Sequence, residues 1–204
     1  MKVHTDVSDA DLLRSMLAGD EDALAVLYRR RHASIFRFAL QMSGSPALAE
    51  DVTQEVFMVL LRDSKSYDPK RGPLNWFLMG IARNLTRQRL GREHFYAPLE
   101  NEQSDRPLAD ELQRSNPLDE LSRNQTIEAI RTAVLSLPPR YREVVVLCEL
   151  QELSYVEAAG ILNCAIGTVR SRLHRARALL IEKLRPAKEE DAAANRAKTA
   201  RCFA

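Results

Sequence analysis

Arg170, Arg172, His174, Arg175 and Arg177 crowd into one short segment, AIGTVRSRLHRARALL (residues 165–180), which holds no acid. Cations at this density bind polyanions, and the planar arginine fork also matches the edge of guanine. Among them Ile166, Val169, Leu173, Ala176 and Leu180 recur at helical spacing. On a wheel of about 100° per residue, the apolar stripe centres on Val169, Leu173, Ala176 and Leu180. Thr168, Ser171, His174 and Arg175 lie opposite, with Arg170 and Arg172 on the flanks. That arrangement suits base edges in the middle and phosphates at the rims. Arg175 can pair with guanine and Ser171 with either base type. Arg170, Arg172 and Arg177 suit phosphates, which position a protein without specifying sequence.

A helix that reads DNA needs a partner helix to hold it. Residues 154–175 fit a helix-turn-helix. Ser154 is the expected N-cap of the first helix, SYVEAAGIL. Ala158 and Ala159 are small enough for a close helix crossing. Asn163 tolerates the left-handed conformation that the turn requires. Ile161, Leu162, Ile166, Val169 and Leu173 are expected to seal the underside, and the second helix is expected to begin near Ala165 and lie in a major groove. Gly160, inside the first helix, is expected to weaken it by up to about 1 kcal/mol.

The remaining elements are helical too. The periodicity predicts helices over Asp9–Ala18, from Asp20 to the break at Gly44-Ser45-Pro46, over residues 46–63 with Pro46 in the first turn, and over residues 74–90 ending at Gly91. A loop, SKSYDPKRGP, precedes the last of these. Helical patterning returns at Pro117, with Asn116 as N-cap, and Pro138-Pro139 separate that helix from RYREVVVLCEL. The expected fold is all-α: a helical domain at residues 8–92, an acidic linker at 93–117, a second helical domain at 118–185 and a polar tail at 186–204. Net charge is only +2, from 30 Lys and Arg against 28 Asp and Glu. Its distribution says more: residues 73–92 carry four arginines and no acid, while residues 93–120 carry eight acids. Two basic helices flanking an acidic connector predict a polyanion touched at two places.

Other chemistries find little support. Cys148, Cys164 and Cys202 are odd in number and widely spaced, without metal-ligand spacing. Cys148 and Cys164 sit among apolar residues and read as small core side chains rather than nucleophiles. No catalytic constellation, metal or cofactor is expected. The sequence shows neither a membrane span nor a signal-peptide core, so the expected location is cytoplasmic.

The segment LPPRYREVVVLCELQELSYVEAAGILNCAIGTVRSRLHRARALL resembles region 4 of bacterial RNA polymerase sigma factors. AEDVTQEVFMVLL and GPLNWFLMGIARNLTRQRL resemble region 2. Two such regions joined by a short linker resemble the extracytoplasmic-function (ECF) group, and the likeness covers residues 10–92 and 118–185. It implies a sigma factor that binds core RNA polymerase, at the β′ clamp and the β flap, and recognises promoter DNA. Asp51, Gln54 and Glu55 match the surface that docks on the β′ clamp coiled coil, with Val52, Val56 and Val59 pointing inward. For recognition and melting of the −10 element the resemblance implies Lys70, Arg71, Asn75, Trp76, Arg83, Asn84, Arg87 and Gln88. Asn84 matches the position near a flipped −10 base, and Lys70 and Arg71 lie in the loop that forms its pocket. The family aromatic of W-L-x-x-I-A-R falls on Phe77, leaving Trp76 an adjacent extra. For the −35 element it implies region 4, whose reading helix supplies Thr168, Arg170, Ser171, Arg172, His174, Arg175 and Arg177. Ala158 and His174 depart from the family's usual larger aliphatic and its aromatic or aliphatic residue, so no promoter sequence is carried over. The family also implies a linker threaded through the polymerase channels and an anti-sigma factor holding the protein at rest. The competing reading is a conventional helix-turn-helix regulator acting without core polymerase.

Overall fold

The computed structural model describes residues 7–96 and 117–185. All regular elements among them are helical. Helix α1 (Asp9–Leu17) starts at Ser8, whose hydroxyl accepts from the Asp11 amide at 3.2 Å. Helix α2 (Glu21–Ser43) starts at Asp20, whose carboxylate accepts from the Ala23 amide, and ends at Gly44. Gly44 takes φ 73°, a left-handed value that glycine adopts without a Cβ penalty. Helix α3 (Pro46–Arg62) follows at once, capped by Ser45 with Pro46 in the first turn. Two 3-10 turns, Ser64–Ser66 and Pro69–Arg71, lead into helix α4 (Leu74–Tyr96). The sequence ends this helix at Gly91, but it runs through that residue. A glycine costs a helix only about 1 kcal/mol, which does not by itself end one.

α1, α3 and α4 pack around α2. Leu12, Leu27, Ile35, Phe38, Met42, Leu60 and Leu78 are almost wholly shielded from water there. The second unit contains α5 (Pro117–Leu135), α6 (Pro139–Val145), a π-helical turn (Val146–Leu150), α7 (Tyr155–Leu162) and α8 (Ile166–Leu184). The π turn was not legible in the even run VVVLC. Asn116, the expected cap of α5, lies outside the described residues, as does most of the linker and all of the tail from residue 186. Leu137, Val144, Leu147, Ala158, Val169, Leu173 and Ala176 form the second unit's interior.

The two units are packed against each other. α4 meets α7, and α2 meets α5 and the π turn. Gln151 Nε2 donates to Gln41 Oε1 at 2.8 Å. The Leu135 side chain covers Gly44 so closely that a Cβ there would stand 2.8 Å from Leu135 Cδ1. The buried apolar residues accordingly form one continuous cluster across both units.

Candidate nucleic-acid interface

The helix-turn-helix is built from local rules. Ser154 and Glu157 form a reciprocal capping box: the Glu157 amide donates to Ser154 Oγ at 3.3 Å, and the Ser154 amide donates to Glu157 Oε2 at 2.8 Å. This satisfies two of the amides a helix start leaves unpaired. Asn163 ends α7 at φ 50°, ψ 53°, the left-handed conformation expected of it. The Cys164 amide then donates to the Ala159 carbonyl at 3.1 Å, closing the turn. Ala158 and Ala159 are buried at the crossing, and Val169, Leu173 and Ala176 seat α8 beneath it. Ile166 departs from expectation. It is 39% exposed, at the first position of α8.

The opposite side of α8 is polar and open. Arg170, Ser171, His174, Arg175 and Arg177 are exposed, while Thr168 and Arg172 are half-buried. Several of these cations are braced. The Arg170 guanidinium lies 5.9 Å from the Tyr155 ring centroid. Arg177 Nε donates to Glu149 Oε1 at 3.2 Å. The Arg175 guanidinium beside it, followed by the charge of Arg140, holds the Tyr141 phenol below its ordinary pKa. Neither Glu149 nor Tyr141 was singled out in the sequence, where nothing marks a contact between α6 or the π turn and α8.

The second basic helix, α4, faces the other unit. Lys70 and Arg71 are exposed on the 3-10 turn, which Asp68 caps by accepting from the Lys70 amide at 2.9 Å. Tyr67 donates to the Gly72 carbonyl at 3.3 Å and tilts against Phe77, centroids 5.6 Å apart. Asn84 and Gln88 are exposed along α4. Trp76 is wedged between two glycines, with a Cβ at Gly72 falling 2.4 Å and one at Gly160 falling 2.3 Å from the indole. Gly160 is therefore a requirement of close approach rather than a weakness in α7. Asn75 Oδ1 is buried without a hydrogen-bond partner among the described residues. A cleft of about 340 Å³ opens between the units, bordered by Tyr67, Arg71, Trp76 and Asn84 on one side and Gly160 and Asn163 on the other.

Arg83 and Arg87 point to Glu143 of α6. Arg83 makes a two-pronged contact, Nε to Oε1 at 2.9 Å and Nη2 to Oε2 at 3.1 Å. Arg87 Nε stands 3.8 Å from Oε1. A signal for Glu143 did exist: it is a single acid directly before VVVL, and an acid in an apolar run is buried only if paired.

On α3, Asp51 and Gln54 are exposed and Glu55 is half-buried, all on one side. Val52 and Val56 point into the core as expected, and Val59 is half-buried. Arg89 of α4 bridges the two acids, Nη1 to Asp51 Oδ2 at 2.8 Å and Nη2 to Glu55 Oε2 at 2.6 Å. No group of three or more potential metal ligands exists among the described residues. No described helix is long and apolar enough to cross a membrane.

These two units are matched separately by known families. Residues 27–95 match Sigma-70 region 2, and residues 127–180 match Sigma-70, region 4. The ECF RNA polymerase sigma factor SigW of Bacillus subtilis is 32% identical over 181 residues, 85% of this chain and 95% of that protein. The chain belongs to the ECF sigma factors. It is also 34% identical to SigM of Mycobacterium tuberculosis over 179 residues, 87% of this chain and 85% of that one. Against SigE of Mycolicibacterium smegmatis it is 37% identical over 160 residues, which span 76% of this chain but 59% of the relative. Among solved structures, RpoE in complex with the anti-sigma factor NepR from Bartonella quintana is 26% identical, with a TM-score of 0.56 over 78% of this chain and 94% of that one. CnrH in complex with the cytosolic domain of CnrY is 22% identical and shares the fold, with a TM-score of 0.64 over 86% and 96%. As an ECF sigma factor the chain is a DNA-recognising transcription protein and not an enzyme.

Proposed function

We propose that this sigma factor docks on core RNA polymerase through Asp51, Gln54 and Glu55 of α3. It then reads the −35 element with α8 and opens the −10 element with α4 and the Lys70–Arg71 turn. The carrying observation is the two-sided build of α8, whose apolar face is sealed by α6 and α7 and whose open face presents Arg170, Ser171, His174 and Arg175. A base contact by Arg175 contributes about 1–3 kcal/mol of discrimination, while Arg170, Arg172 and Arg177 hold phosphates. On α4, Asn84 and Gln88 take unpaired −10 bases, Asn75 and Trp76 line the approach, and Arg83 and Arg87 hold the strand. Acting with core polymerase, the protein belongs in the cytoplasm. An anti-sigma factor is the partner at rest, a role supported by the complex of its relative RpoE with NepR.

Reconstitution with core polymerase tests this reading. Core enzyme alone is expected not to start at promoters, and added sigma factor is expected to direct specific starts. Replacing Asp51, Gln54 and Glu55 together by alanine should abolish capture on core polymerase. Capture that survives the triple replacement would overturn the assignment of Asp51, Gln54 and Glu55 as the docking surface.

A further inference from the structure

The strongest unassigned feature is the Glu143 carboxylate, whose side chain is only 3% exposed. A carboxylate is stable at that depth only with charged partners. Glu143 comes from region 4, and both its partners, Arg83 and Arg87, come from region 2. The pair therefore exists only while the two regions are packed together.

A phosphate offers a guanidinium the same charge-assisted, two-pronged bonding as a carboxylate. Arg83 cannot serve both at once with both prongs. Its side chain is 16% exposed with Glu143 in place, leaving little open face for a DNA strand, while Arg87 is more open at 53%. Two further contacts close the same seam. The Trp76 indole rests on Gly160 of α7, and Arg142 of α6 donates to the Met42 carbonyl of α2 at 2.6 Å. Since α7 belongs to the helix-turn-helix, the −10 helix and the −35 reader hold each other.

We infer that Glu143 is a built-in competitor for promoter phosphate: in the free chain it occupies Arg83 and Arg87 and keeps region 4 folded over the −10-reading face. The inference rests on the reading of α4 proposed above. Separation of the regions exposes Glu143 to water and hands the two arginines to DNA. That exchanges one anionic partner for another, so a modest bias from polymerase or promoter suffices to shift the balance.

The test uses the full chain without polymerase and a fluorescein-labelled single-stranded DNA oligonucleotide. Trp76 is the only tryptophan, so intrinsic fluorescence reports directly on its seat against Gly160. Two variants attack the seam at separate points, Glu143→Gln and Gly160→Ala, each checked for helicity by circular dichroism. Both should shift Trp76 emission to the red, raise the radius of gyration in solution scattering and tighten DNA binding roughly tenfold, as expected where the open fraction rises from about a tenth. Unchanged compactness and affinity in both would overturn the inference. Opening without a gain in affinity would overturn it too, since Glu143 would then be packing alone. Adding Arg83→Ala and Arg87→Ala to the Glu143→Gln variant separates this result from the underlying reading, because the seam is already open there. If the triple variant binds DNA as well as Glu143→Gln alone, the assignment of α4 fails whatever Glu143 does.

Discussion

Arg142 on α6 donates through Nη1 to the carbonyl oxygen of Met42, in the last turn of α2 and 100 residues away in sequence. Its Nη2 donates to the carbonyls of Leu135 and Leu137 at the end of α5. One guanidinium thus caps helix ends from both regions, at sites where carbonyls otherwise lack partners. Burial pushes this guanidinium below its ordinary pKa, but arginine stays charged in proteins. Arg142→Met keeps most of the stem and removes the donors. It should lower stability by about 2–3 kcal/mol, read from urea unfolding. Arg142→Lys should recover only part, because one ammonium cannot reproduce the fork. Full recovery by lysine would show that the shared contact contributes little.

Asn163 occupies the left-handed conformation at the helix-turn-helix turn. Asn163→Gly should be close to neutral there, since glycine needs no Cβ clearance. Asn163→Val should cost about 1–2 kcal/mol from the Cβ clash. It should also weaken −35 binding by tilting α8. Equal stability of the glycine and valine variants, measured by thermal unfolding, would exclude a conformational role for the turn.

The helix-turn-helix was legible because its determinants are local: a cap at Ser154, an acid three residues on, small residues at the crossing and a left-handed asparagine. The helices of the first unit were legible for the same reason, through Asp20, Gly44 and the Ser45-Pro46 start. What escaped were contacts between residues far apart. Glu143 with Arg83 spans 60 residues, and no periodicity encodes such a pairing. Gly160 reads as a defect of α7 because its cost is local, whereas its reason is an indole from the other unit. Ile166 fits the apolar stripe of α8, but a stripe says nothing of which of its members are covered. The candidate DNA-facing residues of α8 were separable from its seat by spacing alone. Those of α4 were assigned by family likeness, and their engagement with region 4 became visible only in three dimensions.

Cys148 is half-buried, and burial, followed by the charge of Glu149, pushes its thiol above the ordinary range. A raised pKa leaves less thiolate at a given pH, and only the thiolate reacts. Iodoacetamide should therefore modify Cys148 in the folded protein more slowly than an unstructured cysteine. The pH–rate curve should lie to the alkaline side, and urea should abolish both differences. Peptide mapping by mass spectrometry gives the site-specific rate. A rate equal to the unfolded rate at neutral pH would remove the thiol from the interior.

Arg175 and Arg177 stand on the same helix with different neighbours, and the difference predicts different losses. Arg175 lies beside the Tyr141 phenol, whose pKa it lowers, and is exposed on the open face. Arg177 leans on Glu149 at the edge. Arg175→Ala should relax preference at one −35 position by about 1–3 kcal/mol while sparing affinity for unrelated duplexes. Arg177→Ala should weaken binding to every sequence alike and reduce the salt dependence by about one phosphate contact. Tyr141→Phe, which leaves the arginine but removes the phenol oxygen beside it, should give a smaller loss of preference than Arg175→Ala. Competition titrations with a −35 duplex library at several salt concentrations separate these outcomes. If the losses at Arg175 and Arg177 are equally blind to sequence, α8 does not enter the groove in this orientation.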